Sequence, residues 1–304
     1  MARDGEAGLP WVSANGELEL AIETSRRAGA LLVNAHGVPR SERRKGPHDV
    51  VTSLDRASEA LIMEALGSAF PADRRLGEET GLTMPRRAST RTWIVDPLDG
   101  TVNFASGLPF WCVSIALAID QRVILGVIRD PLRDETITAT AGGGAHRLET
   151  GERLAMRRLR RSDDAVVVAD PGSADDDEAH LRILRLRPHV RAVRALGSIA
   201  LSLTSMAMGR LDGVLQVRGL QAVDVAAAGL IALEAGAHVT DAENGPWLVV
   251  TQPSRGTGIA AARPGLHRRL VAPGAVSAGY QRSVASRPRV PAGPRTAVGS
   301  PTTG

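Results

Sequence analysis

The sequence predicts an α+β fold in which an antiparallel half is followed by an alternating α/β half. Three observations carry this. Two early segments repeat apolar residues at helical spacing. Strand-like runs then follow one another with only turns between them. Beyond residue 160, strands and helices alternate, as in a layered sheet.

The first helix covers residues 17–33, with Leu18, Ala21, Ile22, Ser25, Ala28, Gly29 and Leu32 on one stripe. A polar loop, residues 40–47, leads to a second helix after Thr52. Its apolar residues Leu54, Ala57, Leu61, Ile62, Ala65 and Leu66 are expected inside, and Pro71 ends it. A strand starts near Thr92 and is expected to stop at Asp96-Pro97, because proline fixes φ and removes a ladder donor. Residues 111–119, 123–129 and 135–140 read as further strands joined by short turns, hence an antiparallel sheet. Next come a buried strand at 166–168, helices at 180–186 and 199–208, and a strand at 213–217. A helix over 225–235 is closed by Gly236. The two halves are placed at residues 16–150 and 151–265. Residues 271–304, rich in Pro, Gly, Ser, Ala and Arg without periodicity, are expected to form a disordered tail.

Composition removes several function classes. At 43% hydrophobic and 23% charged, the 304-residue chain has ordinary globular proportions and can bury a substantial core. Cys112 is the only cysteine, which excludes an intramolecular disulfide or a cysteine-rich metal site, and its setting (Trp111-Cys112-Val113) suits a small buried hydrophobe. No long apolar run precedes Trp11, and the apolar stretch 225–237 contains Glu234 and is too short to span a bilayer. A cytoplasmic protein with no membrane partner is expected. The pI near 10.3 invites a nucleic-acid reading, but eight arginines and no acidic residue follow Asn244, so the remainder carries −4. Tyr280 is the only aromatic residue of the tail, which argues against base stacking.

The chemistry lies in carboxylates at turns. Asp96 and Asp99 flank Pro97-Leu98, immediately before Gly100-Thr101; Glu78 and Glu79 follow Gly77; Asp224 stands at the start of the helix over 225–235. Each alone is an ordinary turn, surface or capping residue. Together they are hard oxygen donors of the kind magnesium prefers, and the Gly100-Thr101 turn adds backbone donors for a phosphate. That pairing outlines metal-assisted phosphoryl hydrolysis. Lys45 adds a separate signal, being the only lysine among 37 basic residues.

The stretch from Trp93 to Phe104, Trp-Ile-Val-Asp-Pro-Leu-Asp-Gly-Thr-Val-Asn-Phe, resembles the signature of the inositol monophosphatase family, magnesium-dependent and lithium-sensitive phosphatases. Gly77-Glu78-Glu79-Thr80 is similar to its upstream element, and Asp224-Val225-Ala226-Ala227-Ala228-Gly229 to its C-terminal signature. Lys45-Gly46 with Asp49 to Asp55, and Gly197-Ser198, match further elements in the family's order. The resemblance implies a layered α/β/α/β/α sandwich with the site between the halves, and homodimers are frequent in the family. It implies two magnesium ions, and up to three, held by Glu78, Asp96, the carbonyl of Leu98, Asp99 and Asp224. Glu78 and Thr101 would position the attacking water, Asp55 would orient the Thr101 hydroxyl, Lys45 would steady the metal waters, and Gly100 and Thr101 would bind phosphate.

The implied activity is hydrolysis of a small phosphorylated metabolite, a cyclitol or sugar phosphate, by metal-activated water. Histidinol phosphate and 3′-phosphoadenosine nucleotides are the alternative substrates, and a catalytically weak regulatory scaffold is the non-enzymatic one. Gly197, Ser198, Val217, Arg218 and Gln221 are the candidate substrate contacts. Val217 is a departure: the inositol-specific branch has there a glutamate that accepts ring hydroxyls, which valine cannot do.

Overall fold

Helix α1 (Ala14–Val33) is followed by the short strands β1 (Arg43–Arg44) and β2 (Val50–Val51), then α2 (Ser53–Ala69). In this computed structural model the described residues are 14–36, 43–44, 50–51, 53–86, 89–172, 175–248, 250 and 257–271. The next strands are β3 (Arg74–Gly77), β4 (Gly81–Thr83) and β5 (Arg91–Asp99), which runs into the one-turn helix α3 (Thr101–Ala105). There follow β6 (Cys112–Ile119), β7 (Arg122–Asp130), β8 (Glu135–Thr140), β9 (Gly144–Arg147) and β10 (Glu152–Arg153). The second half holds β11 (Val166–Asp170), α4 (Asp177–Leu186), β12 (Ala192–Arg194), α5 (Ile199–Ala207) and β13 (Gly213–Leu220). It ends with α6 (Ala222–Glu234), β14 (His238–Thr240), β15 (Thr257–Ala262) and α7 (Pro264–Val271).

The first large sheet has eight strands in the order β10-β9-β8-β7-β6-β5-β3-β4, antiparallel except where β3 runs parallel to β5. The second has five, β12-β11-β13-β15-β14, parallel through β12, β11 and β13 and antiparallel from β13 onward. The side-chain alternation of each strand sorts residues into separate helical layers. On β5, Trp93 and Val95 face α1 and α2, together with Ala21, Leu32, Ile62 and Leu66, while Ile94 faces α5 and α6. On β15, Ile259 and Ala261 meet the same α5–α6 layer from the other side, while Ala260 and Ala262 pack on α7 through Leu266 and Leu270. The result is the layered α/β/α/β/α sandwich, with α5 and α6 as the shared filling. Small residues make that filling thin: Ala226, Ala227 and Ala228 are fully buried on α6. Trp93 and Trp111, also fully buried, join Phe104 in supplying aromatic bulk, roughly 150–250 Å² each, to a core built mainly of aliphatics.

Three expectations change. Strand β5 does not end at Pro97. It continues to Asp99 through a register shift between Asp96 and Asp99 against β6, so the proline sits in a bulge where no ladder donor is needed. Ser58 on α2 donates its hydroxyl to the Pro97 carbonyl at 3.1 Å and holds that bulge. The inward face of α2 is also rotated from the apolar stripe. Ile62 and Leu66 are buried as expected, but beside them lie Asp55, Ser58 and Glu59, whereas Ala57 is exposed. Finally, α7 and strands β14 and β15 close the second layer where the sequence pattern was too short to be read. Of the expected tail, residues 271–304, Val271 instead ends α7, and residues 272–304 lie outside the described residues. Among the described residues, no helix is long and apolar enough to cross a membrane.

Candidate active site

Five separate segments meet at the C-terminal end of β5. The bulge at Pro97 brings Asp96 and Asp99, both buried, to the same rim. The Asp96 Oδ1 accepts the Leu98 N–H at 2.9 Å, which fixes the side chain inside the bulge. Gly100 follows with φ near 97°, a left-handed conformation that glycine adopts freely, and a Cβ there would stand 3.0 Å from the Phe110 carbonyl and 3.2 Å from Ser198. This turn starts α3, so the chain reverses directly in front of the acidic pair.

Asp99 reaches across to the second half. Its Oδ2 accepts the Ser198 hydroxyl at 2.5 Å and the Ala200 N–H at 2.8 Å, at the first turn of α5. Burial pushes the Asp99 carboxyl up, and the donors at Ser198, Ala200, Leu201 and Ile199 pull it partly back. Asp96 is raised well above the usual carboxylate range, first by burial and then by the charges of Glu78, Asp99 and Asp224. Those charges identify the neighbours: four carboxylates from β5, the β3–β4 turn and α6 share one region. Asp224 lies in the first turn of α6 rather than ahead of it, and its Oδ2 accepts the Gln221 N–H at 2.5 Å.

Thr101 and Asp55 complete the group. Thr101 Oγ1 lies 3.0 Å from Asp55 Oδ1 and 3.0 Å from the Leu98 carbonyl, so its single proton goes to one of these acceptors at a time. Asp55 is almost fully buried on the inward face of α2. Cys112 Sγ sits 3.8 Å from Asp99 Oδ2 with its thiol pushed well up by burial and the nearby carboxylates, which keeps it a neutral packing residue.

The donor set fits magnesium by its chemistry. It is all oxygen, and the mutual repulsion that raises Asp96 is what a divalent cation relieves. Among the described residues no three acidic side chains are drawn together into a ready-made cage, so the carboxylates are neighbours without a preformed coordination sphere. Lys45 lies outside the described residues.

A cleft of about 250 Å³ opens beside Asp99 and Asp224. Gly197 and Ser198 line it. The other three candidate contacts are placed elsewhere. Val217 shares a strand face with Leu215 and is buried in the apolar cluster below the second sheet. Arg218 is exposed, with Nε 2.9 Å from Asp176 Oδ2, and Gln221 is exposed at the start of α6. Gln216, one residue earlier on β13, lines the cleft instead, with Asp170 opposite at the end of β11. The period-two alternation of β13 could have flagged Gln216: it shares parity with Val214, which faces α5 and α6. Asn103 was also unread. Its Nδ2 donates to the carbonyls of Phe110 and Leu196, both at 2.7 Å, and so ties α3 to the cleft wall.

The family model described as the inositol monophosphatase family matches residues 16–276. Inositol monophosphatase 2 of Solanum lycopersicum is 38% identical over 233 residues, which cover 74% of this chain and 86% of that protein. The Nus factor SuhB of Escherichia coli K12 is 35% identical over 233 residues, covering 75% and 86%. Among solved structures, the extragenic suppressor protein suhB of Bartonella henselae superposes with a TM-score of 0.76 at 33% identity, covering 84% of this chain and 98% of that one.

Proposed function

The chain belongs to the inositol monophosphatase family and is a phosphoric monoester hydrolase; from that premise we propose that it hydrolyses a cyclitol or sugar phosphate with magnesium. The observation that carries the reading is the geometry at the end of β5, where the bulge holds Asp96 and Asp99 buried beside the Gly100–Thr101 turn and Thr101 Oγ1 lies 3.0 Å from Asp55 Oδ1. Glu78, Asp96, Asp99, Asp224 and the Leu98 carbonyl would hold the metal. Bound magnesium would supply Lewis-acid charge for the phosphoryl oxygens and lower the pKa of a water at the site. Lithium inhibition by competition at these ligands is part of the same reading.

The chain's own residues divide the remaining work. The backbone N–H groups at Gly100 and Thr101 would bind the phosphate in front of the acidic pair. When the Thr101 hydroxyl donates to Asp55, its lone pairs are left to accept from the attacking water, and Asp55 becomes the final proton acceptor. The ester's alcohol would lie in the cleft, where Asp170, Ser198 and Gln216 offer polar groups. Among the described residues no aromatic side chain lines it, which favours a polyhydroxylated leaving group over an adenine or an imidazole. The regulatory alternative has less physical support. Crowded buried carboxylates cost stability, and a scaffold has no use for them.

A phosphate-release screen over small phosphomonoesters, with and without chelator, tests the reading. Thr101→Val should lose about 10²-fold or more in kcat while Thr101→Ser retains most turnover, since only the hydroxyl is used. Full turnover in chelator, or by Thr101→Val, would overturn it.

A further inference from the structure

Glu59 is nearly fully buried on the inward face of α2, and its carboxylate serves no step described above. Its Oε2 accepts the Glu79 N–H at 2.8 Å and its Oε1 accepts the Thr80 N–H at 2.9 Å. The preceding N–H, that of Glu78, donates to the Val95 carbonyl at 3.2 Å. Three successive donors of the β3–β4 turn are thus fixed, one by β5 and two by a single side chain. Gly77 is part of the same fit: a Cβ there would lie 2.7 Å from the Glu59 carboxyl carbon and Oε2. Glu59 and the turn residues Glu79 and Thr80 together border a cleft of about 380 Å³, lined also by Arg56, Met63, Glu64 and Arg75. The two hydrogen bonds add to the strand pairing of β3 with β4 and β5, which holds the ends of the turn.

We propose that Glu59 is a positioning residue, a buried carboxylate that sets the β3–β4 turn so that Glu78 faces Asp96. The proposal rests on the reading of Glu78 as a magnesium ligand. Two adjacent N–H groups require two acceptor oxygens at the spacing of one carboxylate. Glutamine offers one oxygen and turns an NH₂ toward the other N–H. Aspartate keeps the charge but falls short by one methylene. Either change frees the turn, and Glu78 with it, while leaving the ligands themselves intact.

Calorimetric titration of the full-length, metal-free protein with magnesium is the test, with thermal unfolding of the same samples. Glu59→Gln should bind magnesium about tenfold more weakly, a change of about 1.4 kcal/mol. Phosphate release lost at low magnesium should recover at saturating magnesium, which a general loss of folded protein would not permit. Glu59→Asp should show the same direction, and it decides the matter if Glu59→Gln does not fold. Magnesium affinity within threefold of wild type in a folded variant overturns the proposal, and so does failure of both variants to fold, which would make Glu59 a folding residue. Asp96→Asn separates the two readings. Wild-type binding that is abolished in Asp96→Asn yet unchanged in Glu59→Gln removes only the positioning role, whereas no magnesium binding by the wild type removes both.

Discussion

Ser198 donates its hydroxyl to Asp99 Oδ2 at 2.5 Å, joining the end of β5 to the first turn of α5 across 99 positions of sequence. The same hydroxyl oxygen accepts the Leu201 N–H at 3.3 Å as the cap of α5. Ser198 therefore ties an acidic side chain of the first sheet to the helical layer between the sheets. Ser198→Ala removes both roles. Loss of the cap should cost about 1 kcal/mol of stability. Loss of a hydrogen bond to a charged group, about 1.5–3 kcal/mol, should lower kcat by about one to two orders of magnitude. Thermal unfolding and steady-state turnover of the one variant separate the two effects, and unchanged turnover would remove Ser198 from the site.

Asp96 makes the conflict between function and stability measurable. Its carboxyl is raised by burial and by three neighbouring carboxylates, so in metal-free protein it is a destabilising group. Asp96→Asn keeps an oxygen to accept the Leu98 N–H and removes the charge. The metal-free variant should unfold at a higher temperature than wild type, since the charge opposed by burial and by the neighbouring carboxylates is gone. Added magnesium should raise the wild-type midpoint and leave the variant's unmoved, because only a bound ligand stabilises by mass action. A variant less stable than wild type without metal would show that repulsion at Asp96 is not the governing force.

The acidic site was legible because its residues lie in short, dense runs whose chemistry is local: Asp96 to Thr101, Gly77 to Glu79, and Asp224. The helices and strands with strong periodicity were legible for the same reason, as with β6 to β8. Glu59 was not, because the apolar stripe of α2 suggested one inward face while the carboxylate needs of a distant turn dictated another. The bulge at Pro97 was missed because a proline was read as a stop, when an edge of irregular pairing, braced by Ser58, accommodates it. The closing elements β14, β15 and α7 are short, and their order in the sheet depends on tertiary pairing that no local pattern states.

His267 gives the fold an acid limit. It is buried on α7, its ring lies edge-on to His238 with centroids 4.4 Å apart, and its Nε2 is 2.9 Å from Thr240 Oγ1. Burial, then the charge of His238, lowers its pKa from 6.5 to about 4. Below pH 6.5 the unfolded chain takes up a proton that the folded protein refuses, so stability is lost as pH falls toward 4. Denaturant midpoints at pH 7 and pH 5 should therefore differ, and His267→Gln should show a smaller difference. An identical slope in the variant would mean that other groups, the carboxylates foremost, govern acid unfolding.

Val217 and Gln216 make opposite predictions from adjacent positions on β13. The family resemblance marks Val217 as the place of a glutamate that reads inositol hydroxyls, and on that basis Val217→Glu would convert substrate preference. The structure turns Val217 into the apolar cluster with Leu215, Ala260 and Leu266, so a glutamate there would carry its charge among apolar side chains. The expected result is a loss of about 3 kcal/mol or more, seen as a lowered unfolding midpoint, with no gain on inositol-1-phosphate relative to other esters. Gln216 lines the cleft; its Nε2 donates to the Arg218 carbonyl at 3.2 Å, which leaves its side-chain oxygen as an acceptor for a substrate hydroxyl. Gln216→Leu should leave the unfolding midpoint within a few degrees of wild type. It should also shift the kcat/KM ratio between a polyol phosphate and a simple alkyl phosphate by about tenfold, the worth of one buried hydrogen bond. A folded Val217→Glu enzyme that gains on inositol-1-phosphate would place position 217 in the cleft and displace Gln216 from the role given to it.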